Sequence, residues 1–189
     1  MGNGVLFYGH KIDLKQLQEA FATLCDKYNI DVEVLRRPYD RAAIKLFKSV
    51  IVKGNRYAYA RTDDESHDTE HGHAADDASA DDVEEDEARR EGDLYLEAEE
   101  AINEALDAIT NALSESCSIS VSRDGQCCNT IVDSFFIGLS ISTLSREERS
   151  VELELPSLEQ TDQIVIDLSC LGLGDPRYHM IMDDCDSCT

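Results

Sequence analysis

The chain has 189 residues, with 40 acidic against 17 basic side chains and a formal net charge of −23. A hydrophobic content of 42% argues against a wholly disordered chain, because it is enough to form a core. The sequence has no apolar run long enough to cross a bilayer, and it does not open with a charged segment followed by an apolar one. Together with seven cysteines, this indicates a cytoplasmic protein in a reducing compartment, with no membrane partner.

Charge is unevenly distributed along the chain. Residues 1–60 carry a net charge of +4, residues 61–116 carry −18 and residues 117–189 carry −9. This pattern predicts a nearly ordinary N-terminal unit joined to an acidic remainder. We predict an α+β fold in three parts: an N-terminal α+β unit at 1–61, an acidic low-complexity linker or loop at 62–87, and a long helix followed by an antiparallel, β-rich part at 88–189.

The first 35 residues predict a strand, a helix and a second short strand. The apolar run Val5–Tyr8 is bounded by glycines, as is typical of a buried strand. Asp13 is a suitable N-cap for a helix that runs to about Tyr28, since apolar residues then recur at three- and four-residue steps. Residues 31–35 alternate between polar and apolar and predict a strand.

A second helix and a hairpin complete the N-terminal unit. Pro38 suits the first turn of a helix that runs to about Val50. Gly54 and Asn55 then separate two apolar segments, which is the pattern of a two-residue hairpin loop. The predicted register places Val50 opposite Tyr59 and Val52 opposite Tyr57.

Part of this region resembles an uncharacterised protein family found in phage and bacterial genomes. The resemblance covers residues 5–50, and the residues that carry it are Leu6-Phe-Tyr8, Ile12-Asp-Leu14, Leu17, Ala20-Phe21, Leu24, Arg37-Pro38 and Arg41-Ala42-Ala43. It implies an origin in a virus or mobile element. It implies no activity, and no site residue follows from it.

The acidic segment is followed by a predicted long helix. Residues 62–87 contain no aromatic residue and one large aliphatic residue, Val83, so little can drive their burial. Residues 88–114 have the helical apolar period, with an inward stripe of Tyr95, Ala98, Ile102, Leu106, Ile109 and Leu113. The carboxylates of Glu97, Glu100, Glu104 and Asp107 face the other way.

Strands are predicted for the rest of the chain. Asp124-Gly125 is a type I′ turn signal that would join 117–123 to 126–132 and place Val121 opposite Cys128. Further strand candidates are 135–141, 151–155, 164–168 and 178–182, with a Gly- and Pro-containing turn at 171–176.

Seven cations within 21 residues form a basic cluster, opposed only by Asp40. Three of them lie four and three residues apart on the second helix, and such a patch can bind a partner or phosphates. The other interpretation, which we favour, is an ordinary solvated helix face. The cluster consists of Arg36, Arg37, Arg41, Lys45, Lys48, Lys53 and Arg56.

Two other groups of residues are candidates for weak metal binding. His67, His71 and His73 lie among carboxylates, and imidazole with carboxylate suits a divalent ion such as zinc or nickel. Cys185 and Cys188 form a single C-x-x-C pair, whereas a four-cysteine zinc site needs two. The alternative is that the histidines are polar filler in a low-complexity segment. We expect no dedicated cofactor.

The sequence lacks the motifs of common enzymes. It has no G-x-S-x-G elbow and no P-loop, so we predict a non-enzymatic protein. Residues 61–189 carry a net charge of −27, which attracts cationic surfaces and repels nucleic acid. The first hypothesis is therefore an acidic interaction protein that binds a basic protein. The alternatives are a nucleic-acid-associated module that uses the basic cluster at 36–56, masked in cis by the acidic segment, and a structural subunit.

Overall fold

The fold combines helices with antiparallel strands, which confirms the predicted α+β class. A computed structural model describes residues 3–54, 56–59, 80–124, 134–145 and 155–182. In chain order the elements are β1 (Asn3–Ile12), α1 (Leu14–Tyr28), a 3₁₀ helix (Val32–Val34), α2 (Pro38–Phe47), β2 (Val50–Lys53), β3 (Arg56–Tyr59), α3 (Ala80–Ser114), β4 (Ser120–Arg123), β5 (Phe135–Ser145), α4 (Leu158–Leu168), a 3₁₀ helix (Ser169–Leu171) and β6 (Arg177–Met182).

The first strand of the chain lies inside a sheet built from the last ones. The strand order is β4-β5-β1-β6, and all three pairings are antiparallel. Tyr8, for example, lies between Leu139 on β5 and Tyr178 on β6. The predicted N-terminal unit and the C-terminal part are therefore joined through one sheet. The β2-β3 hairpin forms a separate pair with the predicted register, Val50 opposite Tyr59 and Val52 opposite Tyr57.

Two glycines allow β1 and β5 to approach each other closely. Gly9 lies opposite Gly138 in the β1-β5 pairing. A Cβ atom on Gly9 would lie 2.2 Å from the carbonyl oxygen of Ile137, and one on Gly138 would lie 2.3 Å from that of Tyr8. Since real Cβ atoms essentially never approach a backbone atom this closely, neither strand tolerates a side chain here without moving.

The helices cover one face of the sheet and enclose the main core. In α1 the predicted N-cap Asp13 forms a capping box with Gln16, and the apolar stripe of the helix is buried. The buried face of α3 is rich in alanine, and α2 packs against this helix. Its buried residues from 98 onward are Ala98, Ala101, Ile102, Ala105, Leu106, Ala108, Ile109, Ala112 and Leu113.

Two of the predicted strands are wrong, because local hydrogen bonds favour helix. The segment predicted as a strand at 31–35 forms a 3₁₀ helix, in which the Asp31 side chain accepts a hydrogen bond from the Glu33 N–H. The apolar run at 164–168 is the second half of α4, which starts with a capping box between Ser157 and Gln160.

The described part of β4 pairs with β5, which places Val121 opposite Ile137. The hairpin predicted at Asp124-Gly125, with Val121 opposite Cys128, needs residues 126–132, which lie outside the described residues. The Asp124 N–H donates to the carbonyl of Ser134 at 2.9 Å, which joins the two strands across the intervening segment. Residues 125–133 lie outside the described residues, as does the predicted strand at 151–155 apart from Leu155.

The long helix is longer than predicted. α3 begins at Ala80, eight residues before the expected start at 88, so the end of the segment 62–87 is helical. Carboxylates in the first turns of a helix interact favourably with its macrodipole, and this segment places several there. Residues 60–79 lie outside the described residues.

A buried carboxylate, Asp167, connects the ends of α1 and α4. Its Oδ1 atom accepts a hydrogen bond from the Tyr28 hydroxyl and another from Gln163 Nε2 at 2.8 Å. Burial, and then the hydrogen bond to this carboxylate, raise the pKa of Tyr28. Lys27 Nζ donates to the carbonyls of Ile166 and Asp167 at 2.8 and 2.9 Å, where the dipole of α4 favours a cation.

Substitution of Gly9 by alanine is expected to destabilise the fold by about 3 kcal/mol or more, because the new methyl group overlaps the backbone of β5. Gly172→Ala is the control, since its φ is 66° but nothing lies within 4 Å of the added Cβ, and a cost of about 1 kcal/mol is expected there. Urea unfolding measures both. Equal midpoints for the two variants would contradict the close approach of β1 and β5.

Tyr28→Phe is expected to lower the free energy of unfolding by about 1–3 kcal/mol, because it removes a donor from a buried carboxylate. Tyr39→Phe is the matched control, since Tyr39 is 59% exposed and its loss of a hydroxyl should cost little. Urea unfolding at neutral pH gives both values. A Tyr28→Phe protein as stable as the control would show that Asp167 does not depend on this hydrogen bond.

Candidate functional site

Three members of the predicted basic cluster interact locally. Arg37 Nε lies 2.8 Å from Oδ2 of Asp40, and Arg41 Nη1 donates to the carbonyl of Glu33 at 2.9 Å. The guanidinium of Arg56 lies 5.4 Å from the centre of the Tyr95 ring on α3. These contacts bind α2 to the preceding 3₁₀ helix and the hairpin to α3.

Arg41, Lys45 and Lys48 follow one side of α2, at the spacing that the sequence indicated; we refer to these three as the basic stripe. Lys45 and Lys48 are exposed. Burial raises the pKa of Cys25 on α1, and the charge of Lys48 partly offsets this effect.

A row of carboxylates follows one side of α3, the helix against which α2 packs. Glu97, Glu100, Glu104 and Asp107 are all exposed, as the sequence predicts; we refer to these four as the acidic stripe. Within the part of the chain that the structure describes, none of the four forms an ion pair.

Two tyrosines border the acidic stripe. Tyr39 on α2 is 59% exposed, and hydrogen bonding to Glu104 is the main cause that raises its pKa. Tyr59 on β3 donates to the carbonyl of Glu97 at 3.2 Å; burial, followed by nearby carboxylates of the stripe, raises its pKa. Carboxylates beside aromatic rings suit a lysine or arginine side chain, which gains both charge pairing and a cation–π contact.

A cavity of about 290 Å³ lies where the start of α2 meets the end of α3. Arg36 and Arg37 of the basic cluster line it on one side, together with Asp40, and Glu115 lines it on the other. The pairing of Arg37 with Asp40 leaves the lining nearly balanced in charge. No sequence motif marks this cavity, because the two helix ends that form it are far apart in the chain.

The predicted metal ligands belong to two segments of the chain. His67, His71 and His73, and likewise Cys185 and Cys188, lie outside the described residues. Within the described ranges, no group of three or more His, Cys, Asp or Glu side chains is arranged to hold a metal ion. Three cysteines there are free thiols, and burial raises the pKa of two of them, Cys25 and Cys117, which disfavours the reactive thiolate. The third is Cys170.

His10 is a buried titratable residue that the sequence analysis did not single out. It lies on β1, is 7% exposed, and its Nε2 atom has no hydrogen-bond partner among the described residues. Burial is the main cause that lowers its pKa; His179 lowers the pKa further, and Asp175 opposes this. The sequence predicts a strand that ends at Tyr8, because a glycine and the polar His10 follow it. In the structure β1 continues to Ile12, so His10 is part of the sheet.

Comparison of the chain with protein-family models, curated proteins and solved structures found no match. Among the described helices, none has the length and apolar content that a membrane span requires. The functional inference therefore depends on the geometry and charge of the surfaces described above.

His10 is expected to make stability depend on pH. Burial lowers its pKa in the folded state, whereas in the unfolded state it binds a proton below the ordinary pKa of about 6.5, so stability is lost as the pH falls through that value. The difference in unfolding free energy between the native chain and His10→Leu should shift by up to about 1 kcal/mol between pH 7.5 and 5.5, in favour of His10→Leu. Parallel urea-unfolding profiles for the two proteins would contradict this.

Proposed function

We propose that the protein is a non-enzymatic interaction protein whose acidic surface binds a basic protein. The observation that carries the proposal is the acidic stripe on α3, which has no ion pair among the described residues and is bordered by Tyr39 and Tyr59. A lysine- or arginine-rich segment laid along α3 would meet a carboxylate at nearly every turn. The ligand class is therefore a cationic segment of a protein.

Magnitudes favour a contact made from several weak interactions. An exposed ion pair contributes only about 0–1 kcal/mol, and a cation–π contact at an exposed site about 0.5–1 kcal/mol. Micromolar binding needs about 8 kcal/mol. Four carboxylates and two rings supply part of this free energy, and apolar contacts supply the rest. The net charge of −23 increases the association rate of any cationic partner.

The nucleic-acid alternative is supported by a different surface. Lys45 and Lys48 of the basic stripe are exposed, and with Arg41 they could contact phosphates. In the same hypothesis, the acidic segment 62–87 competes with an external polyanion for these cations. The net charge of the chain opposes this function, so we place it second.

Charge reversal on α3 tests the proposal. In fluorescence anisotropy with a labelled 20-residue Arg/Lys peptide at about 50 mM salt, Glu100→Lys/Glu104→Lys is expected to weaken binding about tenfold or more. The matched control is Asp26→Lys/Asp162→Lys, which makes the same change in net charge at exposed positions on α1 and α4. It should weaken binding less than about threefold.

Tyr39→Ser should weaken peptide binding further, because it removes an exposed ring from the border of the stripe. Equal weakening by the two double variants would mean that only net charge matters, and the proposed surface would be wrong. Tighter binding of a 20-nucleotide single-stranded DNA than of the peptide would overturn the proposal in favour of the nucleic-acid alternative.

A further inference from the structure

A row of exposed apolar side chains follows α2 beside the acidic stripe. Tyr39, Ala42 and Leu46 are spaced three and four residues apart, which places them on one side of the helix. All three are exposed, Tyr39 by 59% and Leu46 by 47%. Because the small Ala42 lies between two large side chains, the row has a notch at its centre. We refer to these three residues as the α2 ridge.

The α2 ridge and the acidic stripe run side by side. α2 and α3 are antiparallel, since the start of α2 meets the end of α3 at the cavity, whereas Tyr59 in the hairpin after α2 contacts Glu97. Tyr39 hydrogen-bonds with Glu104. From this contact, Leu46 and Glu97 each lie seven residues away in the same direction, which is about 10 Å along their helices. The two rows therefore border each other over about two helical turns.

The basic stripe lies on the other flank of α2. Measured from the middle of the buried side of the helix, which contains Ala43 and Phe47, the ridge is about a third of a turn away in one sense and the basic stripe about a third of a turn in the other. Cations of a ligand are therefore attracted toward α3 and repelled from the far flank of α2. A ligand that fits this surface has its cations on one side.

A helix matches the spacing of both rows. The residues of the ridge and of the stripe recur at about one helical turn, roughly 5.4 Å, and a second helix laid alongside presents its side chains at the same interval. An extended segment presents side chains on one face every 6.7 Å or so, roughly, and loses this match within two turns. The surface therefore favours a helical ligand over an extended one.

The sequence of this chain offers no cationic segment to cover the surface. Outside the described residues its lysines and arginines are limited to Arg61, Arg146 and Arg149, and acidic residues outnumber them there. A second copy would bring a net charge of −23, and Arg41 of its basic stripe already donates to the carbonyl of Glu33. The complementary occupant is therefore a segment of another protein.

We propose that the surface formed by the α2 ridge and the acidic stripe binds a cationic amphipathic helix of a partner protein. Apolar side chains of that helix pack on the ridge, one of them in the notch at Ala42, and its lysines and arginines lie over the stripe. This inference rests on the proposed function. It narrows the ligand from any cationic segment to a helix with apolar and basic residues on neighbouring faces.

Two peptides of about 18 residues with identical composition test the proposal by fluorescence anisotropy with the full chain. In one, leucines recur at the helical period and lysines and arginines occupy the neighbouring face; in the other, the same residues are shuffled so that no apolar face forms. The amphipathic peptide is expected to bind at least about tenfold more tightly. Far-UV circular dichroism should show that it gains helix on binding, which the shuffled peptide does not.

Leu46→Gln should weaken binding of the amphipathic peptide at least about fivefold and change binding of the shuffled peptide less than about twofold. Leu158→Gln is the matched control, since Leu158 is 83% exposed on α4, and it should change neither. Glutamine is a good helix former, so α2 should persist in the variant. Circular dichroism checks this, and Ala42→Gln, which fills the notch, takes its place if Leu46→Gln does not fold.

The outcomes separate this inference from the proposed function. Equal binding of the two peptides, with both weakened by Glu100→Lys/Glu104→Lys, would overturn the inference and leave the proposed function standing. Binding that does not respond to this charge reversal would overturn both. Equal effects of Leu46→Gln and Leu158→Gln would overturn the inference alone, as would a dimer in sedimentation velocity that Leu46→Gln abolishes, because the surface would then belong to a second copy.

Discussion

The pairing of β1 with both β5 and β6 is the constraint on which the structure depends. It brings the two ends of the described chain into one sheet, and that sheet is the platform on which the helices pack. The pairing in turn depends on Gly9 and Gly138, where two backbones meet with no room for a side chain. Substitution at either glycine therefore affects contacts between residues more than a hundred positions apart.

The charged side chains fall into two groups, those that make contacts within the fold and those of the acidic stripe. Several arginines make contacts within the fold; Arg123, for instance, binds Glu99 at 3.0 Å and Asn103 at 3.1 Å and lies over the ring of Tyr57 at 5.8 Å. The acidic stripe on α3 forms no ion pair among the described residues, and within it Glu104 hydrogen-bonds with Tyr39.

Local signals in the sequence predicted local structure well, and pairings between distant segments poorly. The capping box at Asp13, Pro38 at the start of α2 and the register of the β2-β3 hairpin depend on neighbouring residues, and all are present. The pairing of β1 with β5 and β6 has no local signal, because its partner strands come from the other end of the described chain. Of the candidate sites, the acidic stripe follows from helical spacing. The tyrosines beside it come from α2 and β3, and only the tertiary structure shows that they border the stripe.

The position of β1 also determines when the protein can fold during synthesis. β1 ends at Ile12, and its first partner strand begins only at Phe135. At roughly 5–20 residues per second, a ribosome needs about 6–25 s to make the residues between them. During that interval α1 and the hairpin are synthesised, while the N-terminal strand still lacks both of its partner strands. The nascent chain therefore presents an apolar strand to chaperones until the C-terminal third has been translated.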